Sequence, residues 1–147
     1  LATAPLGLPA GRPLRQGYLA EEGEVEVRLR VDEEDATLTV KAGRGLTRTE
    51  VELPLDDAQA EALWLHTAGR RVEKTRHRVA LTGDAVAEVD VYSGALAGLC
   101  VAEVEFADEA AALAFVPPTW FGREVTAESA WSNAALARRG RPDQTFT

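Results

Sequence analysis

The sequence predicts an α+β fold dominated by an antiparallel sheet, and three observations predict it. Short stretches place a polar or charged side chain at every second position: Arg28 and Arg30; Thr37, Thr39 and Lys41; Glu50 and Glu52; Lys74, Arg76 and Arg78; Glu88 and Asp90; Glu103 and Glu105. Successive side chains of a strand point to opposite faces, so each run puts its charges on one face and its apolar residues on the other. Links such as 32–35 and 43–45 have the composition of hairpin turns, which join antiparallel neighbours. Two segments, each opened by an Asp that can cap a helix and rich in Ala and Leu, interrupt the strands.

Taken in order, residues 1–15 are rich in Pro and Gly and are expected to be irregular. Strands are expected over 16–20, 24–31, 37–42 and 47–53, with Pro54 ending the last. Asp56 or Asp57 then caps a helix to about Thr67, with Ala58, Ala62, Leu63 and Leu65 on its packed side and Gly69 stopping it. A second set of strands covers 72–81, 87–92 and 100–106, with Gly94 and Gly98 in the last connection. Asp108 or Glu109 opens an alanine-rich helix that ends before Pro117 and Pro118. A final short helix fits 127–137. Residues 1–137 read as a single domain, and 138–147 as a polar tail with a tendency to fray.

Composition narrows the function classes. A net charge of -8 argues against nonspecific nucleic-acid binding, which needs a basic surface. No run approaches the roughly 20 apolar residues that span a bilayer, so the cytoplasm is the expected location and no membrane partner is expected. Cys100 is the only cysteine and cannot form an intrachain disulfide; its apolar neighbours suggest a small buried hydrophobe. The chain has no methionine, so its natural start is expected to lie ahead of Leu1. Nothing in the sequence reports the oligomeric state.

The sorting of charge by sign is what ordinary solvent exposure does not require. A wet sheet face mixes both signs, whereas here whole strands are basic or acidic. If such strands curl into a barrel with the charges inward, like charges sit side by side at a cost unless the lumen holds charge of its own. A polyanion with divalent cations fits: arginine and lysine match phosphate oxygens, and carboxylates match hard metal ions.

The motifs Gln16-Gly17-Tyr18-Leu19, Val27-Arg28-Leu29-Arg30, Leu38-Thr39-Val40-Lys41, Glu50-Val51-Glu52, Glu73-Lys74-Thr75-Arg76, Val89-Asp90-Val91-Tyr92, Gly98-Leu99, Ala102-Glu103-Val104-Glu105 and Gly122-Arg123-Glu124-Val125-Thr126 follow one another along the chain. In these motifs and their order the chain resembles the CYTH superfamily, the triphosphate tunnel metalloenzymes, in its short single-domain bacterial type. The resemblance implies an eight-stranded antiparallel β-barrel whose tunnel binds a triphosphate with Mg2+ or Mn2+. Carried over by motif, Arg28, Arg30, Lys41, Lys74 and Arg76 would hold phosphate oxygens, and Arg78 joins them by phase. Asp90, Glu103 and Glu105 would be metal ligands, and Tyr18, Glu50 and Glu52 would line the tunnel. Glu128 and Trp131 stand where relatives often carry Asp and Tyr. Nothing ahead of Gln16 supplies the family's first strand, of the form Glu-x-Glu-x-Lys, which is expected to have been truncated.

The implied activity is metal-dependent hydrolysis of a linear triphosphate, with inorganic tripolyphosphate giving diphosphate and phosphate. Phosphoryl transfer asks chiefly for alignment and charge cancellation, which basic and acidic walls supply. Lys74 is the expected general base, its pKa depressed by Arg76 and Arg78. The alternatives are a binding module that captures polyphosphate or a nucleotide without turnover, a thiamine triphosphatase and an adenylyl cyclase. His77 falls on the opposite phase from the arginines, and His66 sits near a helix end. Neither Ser93 nor Cys100 has triad partners at suggestive positions, so nucleophilic catalysis has no support.

Overall fold

A computed structural model describes residues 1–5, 7–44 and 47–143. Strands β1 (Arg12–Glu22), β2 (Val25–Val31), β3 (Ala36–Ala42) and β4 (Thr49–Leu55) lead into helix α1 (Asp57–Trp64). Strands β5 (Arg71–Ala80), β6 (Val86–Ser93) and β7 (Cys100–Val104) follow, then helices α2 (Glu109–Ala114) and α3 (Asn133–Arg139). The strands form one sheet in the order β4-β3-β2-β1-β5-β6-β7, antiparallel throughout. The α+β class stands, but the expected eight-stranded barrel is here a seven-stranded open sheet. Among the described residues, β4 and β7 pair neither with each other nor with a common segment.

The local departures from expectation have local causes. β1 begins at Arg12, inside the stretch expected to be irregular, because residues 12–17 find a full ladder partner in β5. Pro54 does not end β4, which runs on to Leu55. As an edge strand β4 has one neighbour only, and the missing N–H of a proline is tolerated there. β7 stops at Val104, so Glu105 lies just past its end.

Asp56 caps α1 through a capping box with Gln59. The helix buries Ala60, while Ala58, Ala62 and Leu65 are exposed, so the packed stripe lies between the expected positions. The expected helix over 127–137 is split in two. A single 3-10 turn at Ser129–Trp131 is followed by Ser132 in extended conformation, whose side chain accepts from the Ala135 N–H and starts α3 afresh. α3 also takes in Arg138 and Arg139, expected to belong to the polar tail, and Arg138 pairs with Glu21 of β1 at 2.7 Å. Residues 144–147 of that tail lie outside the described residues, as does Gly45 of the second turn.

The two faces of the sheet differ in kind. On one, Ala87, Val89 and Cys100 pack beneath Ala2, Leu8, Trp120 and Phe121, and α1 lies against β2 and β3 over the buried Leu29. Gly17 points to this face, where any side chain would strike Thr67 at 2.6 Å; its absence lets the turn after α1 seat directly on β1. The other face is the charged one. At one end of it Val72 and Tyr92 meet Trp131 and Leu136, so α3 covers that end with an apolar cluster.

Candidate functional site

Register decides which side chains share a face, because residues directly opposite in an antiparallel pair point the same way. Tyr18 lies opposite Arg28, Arg28 opposite Thr39 and Thr39 opposite Glu52. Lys41 lies opposite Glu50. Across the other half, Leu14 lies opposite Lys74, Arg76 opposite Asp90, Arg78 opposite Glu88 and Glu88 opposite Glu103. The structure therefore puts Tyr18, Arg28, Arg30, Lys41, Glu50, Glu52, Lys74, Arg76, Arg78, Asp90 and Glu103 on one face of one sheet. Glu105 lies just past the end of β7, outside the ladder.

The charges on this face are ordered. Both edges are acidic, Glu50 and Glu52 on β4 and Glu88, Asp90 and Glu103 on β6 and β7, while the cations lie on β2, β3 and β5 between them, with Glu21 of β1 and Glu26 of β2 beside Lys41 at one end. From β4 to β7 the charged positions also shift steadily along the strands, so the stripe runs oblique to them.

The densest network sits where β5 meets β6. Arg76 donates to Asp90 through Nε at 2.8 Å and Nη2 at 2.9 Å, and Lys74 Nζ donates to Asp90 Oδ2 at 2.8 Å. Burial pushes the Asp90 carboxyl up, but these hydrogen bonds outweigh it and hold its pKa below the ordinary value. Both of its oxygens are thus committed to cations. Arg76 also reaches Glu88 at 2.8 Å, and its pKa is raised, first by the Asp90 hydrogen bonds.

The Lys74 ammonium has no exposed surface. It lies over the Tyr92 ring, 5.6 Å from the centroid, and Asn133 Oδ1 is 3.5 Å from Nζ while accepting from Tyr92 Oη at 2.7 Å. Its pKa is lowered, as expected, but the first cause is burial; Arg76 adds to it, and Asp90 works in the opposite sense.

The β1–β2 half is built differently. No ion pair among the described residues involves Arg28, Arg30, Lys41 or Arg78. Arg28 Nε is the one buried side-chain polar atom there without a hydrogen-bond partner. Burial, then repulsion from Arg28, lowers the pKa of both Arg30 and Lys41. Burial also pushes the Tyr18 hydroxyl up to about 12, so it stays protonated. A half-buried arginine pair with no carboxylate is a site prepared for an external anion. Tyr18, expected to line the tunnel, accepts a hydrogen bond from Gln16.

Among the described residues, no three carboxylate, histidine or cysteine side chains converge as a ready-made metal cage. The metal ligands expected by resemblance separate into two kinds: Asp90 is taken by Lys74 and Arg76, while Glu103 and Glu105 form no ion pair among the described residues. Magnesium is ordinarily held by one or two carboxylates together with substrate phosphates and water, so the two free glutamates fit it. Sequence reasoning missed Gln16, Tyr92 and Asn133. The signal for Gln16 was present: an amide in phase with Tyr18 on a strand central to the sheet.

The clefts lined by Arg123, Glu128 and Trp131, and by Glu21, Arg70 and Arg138, include none of the residues expected to hold phosphate or metal. His77 points away from it, as its phase predicts, and its Nδ1 lies 2.6 Å from the Pro9 carbonyl oxygen.

No family model matches the chain. It is 46% identical over 138 residues to the inorganic triphosphatase of Nitrosomonas europaea, covering 93% of this chain and 91% of that protein. It is 35% identical over 133 residues to the inorganic triphosphatase of Acetivibrio thermocellus, covering 89% and 83%. A crystal structure of the inorganic triphosphatase NE1496 superposes with a TM-score of 0.79 at 45% identity, over 93% of this chain and 92% of that one. With such identity along nearly the whole length of both proteins, the chain belongs to the inorganic triphosphatase family.

Proposed function

We propose that the protein hydrolyses inorganic triphosphate, releasing diphosphate and phosphate, in the manner of a triphosphate tunnel metalloenzyme of the CYTH superfamily. The observation that carries the reading is the single face with a basic centre, unpaired arginines and acidic edges. Arg28, Arg30 and Lys41 hold one part of the phosphate chain, Arg76 and Arg78 another. A triphosphate brings Arg28, Arg30, Lys41 and Arg78 a negative partner, whereas Arg76 already pairs with Asp90 and Glu88.

Magnesium or manganese would be held through Glu103 and Glu105 and would neutralise charge on phosphate oxygens. Asp90 serves instead to fix Lys74 and Arg76. Lys74 is the proposed proton-handling group; its side chain has no exposed surface and lies against Tyr92 and Asn133. Glu50 and Glu52 complete the acidic surround from the far edge.

The oblique stripe supports a closed form of the sheet. Barrel strands tilt by roughly 35–45° to the axis, so a stripe oblique to the strands becomes a level ring once the edges β4 and β7 are joined. Both edges are acidic, and closure brings them together opposite the basic centre. No helix among the described residues is long and apolar enough to cross a membrane; placement in the cytoplasm is part of the proposal.

Phosphate release from tripolyphosphate, ATP and thiamine triphosphate, each with magnesium or manganese, tests the activity on the full-length protein. Tripolyphosphate turnover that stops on chelation and is fastest among the three is expected. Tight metal-dependent binding without turnover would show a capture module instead. Hydrolysis unchanged in Lys74→Ala would remove that residue from the mechanism.

A further inference from the structure

The side chain at the centre of the charged face is not charged. Gln16 lies on β1 between the arginine strand β2 and the lysine–arginine strand β5, opposite Arg30 on one side and Val72 on the other. No part of it is exposed. Burying an amide costs free energy unless its hydrogen-bonding capacity is used, so its place among cations needs a reason.

The chemistry of the neighbours fixes how the amide is used. Arginine only donates, so the group facing Arg30 is the carbonyl: Oε1 accepts from Arg30 Nε at 3.3 Å. The amide nitrogen is left facing Tyr18, and Nε2 donates to Oη at 3.3 Å. The Tyr18 oxygen is therefore an acceptor in this contact, and its own hydrogen is free to point elsewhere. Arg30, held through Nε, keeps its Nη edge uncommitted, the edge able to take phosphate oxygens pairwise. One neutral side chain thus directs two donors.

β5 and β6 solve the same problem in the opposite way. There a carboxylate, Asp90, anchors Lys74 and Arg76 and cancels charge as it does so. At Gln16 the anchor has the shape of a carboxylate without its charge, and Arg30 remains a cation lacking a counter-ion beside the unpartnered Nε of Arg28.

We propose that Gln16 is a positioning residue of the triphosphate site, a neutral acceptor that aims the Arg30 guanidinium and the Tyr18 hydroxyl at the same phosphoryl group while leaving the arginine's charge for the ligand. The proposal rests on the reading of this face as the triphosphate site. It requires that the amide, and not merely a side chain of that size, stand at position 16.

Gln16→Glu and Gln16→Met separate the two requirements. In Gln16→Glu the new carboxylate pairs with Arg30 and competes with substrate, so KM for tripolyphosphate rises about tenfold or more at neutral to alkaline pH, while Tm does not fall. The gap between this variant and the wild type narrows as the pH drops toward the carboxyl range of about 4–5, because the protonated acid has the amide's pattern of one donor and one acceptor. In Gln16→Met the charge of Arg30 survives but its aim is lost, and kcat falls more than KM rises.

Two results overturn the proposal: a wild-type KM in Gln16→Glu, or losses of activity in both variants that simply track Tm with no pH dependence in their ratio. Exchange of the Arg30 Nε–H with water, followed by 15N NMR and assigned with Arg30→Lys, reads the contact without substrate. Slow exchange in the wild type and in Gln16→Glu, and faster exchange in Gln16→Met, is expected; unchanged exchange in Gln16→Met overturns the contact. A wild-type protein that neither binds nor hydrolyses tripolyphosphate overturns the functional reading, and the exchange experiment still decides whether Gln16 aims Arg30.

Discussion

Asp90 concentrates the energetics of the site in one carboxylate. It is 1% exposed and is satisfied only because Lys74 and Arg76 both donate to it, so removing its charge leaves two cations facing each other in a buried place. Asp90→Asn is expected to cost about 3–5 kcal/mol of stability at neutral pH, measured by urea denaturation. The folded-state pKa is depressed, so the group contributes its full stabilisation above the ordinary carboxylate range. That contribution is lost as the pH falls below about 4 and through the lower folded value. The acid limb of the stability profile should flatten in the variant, retaining the share owed to Asp32, whose pKa is held down first by the Asp35 backbone N–H. An acid limb identical to the wild type would show that Asp90 is not the titrating anchor. None of this network was legible residue by residue. Alternation places Asp90 on the charged face but cannot distinguish a carboxylate that faces a metal from one that faces two cations across a strand pair.

Among the elements, α3 links the C-terminal end of the described chain to the site. Its Leu136 and the preceding Trp131 pack on Val72 and Tyr92, and the Tyr92 ring lies against the Lys74 ammonium. Leu136→Ala should cost about 2–5 kcal/mol in chemical denaturation, because the cavity opens in the cluster that seats the helix. Leu113→Ala, on the exposed side of α2 at 82% exposure, should change stability by less than about 0.5 kcal/mol. Equal losses in the two variants would mean that α3 is not held by this cluster. The strands were readable in the sequence because each carries its own period of two and its own hairpin turn. The C-terminal helix reads as one piece because the apolar spacing continues across Ser132, while the break is made by the Ser132 cap beside a Trp131 buried in the tertiary core. The course of β4 past Pro54 likewise depends on its being an edge strand, a property of the whole sheet.

Across the molecule, a net charge of -8 coexists with a basic centre, and that contrast can be measured. The sequence showed which residues share a face; whether the face closes depends on pairing between distant edges, which no local pattern reports. A ligand that binds the folded chain and not the unfolded one raises stability by about 2.7 kcal/mol at a hundredfold excess over Kd, or roughly 5–10 °C in Tm for a domain of this size. Tripolyphosphate with magnesium should give a shift of this order despite the acidic surface, because the polyanion answers the local field of Arg28, Arg30, Lys41 and Arg76 and not the total charge. Orthophosphate, which spans only part of the basic centre, should give a much smaller shift at equal concentration. Arg28→Ala combined with Arg30→Ala should abolish the tripolyphosphate shift. If orthophosphate stabilised the protein as well as tripolyphosphate does, or if the double variant kept the shift, the basic centre would not be reading the length of a phosphate chain.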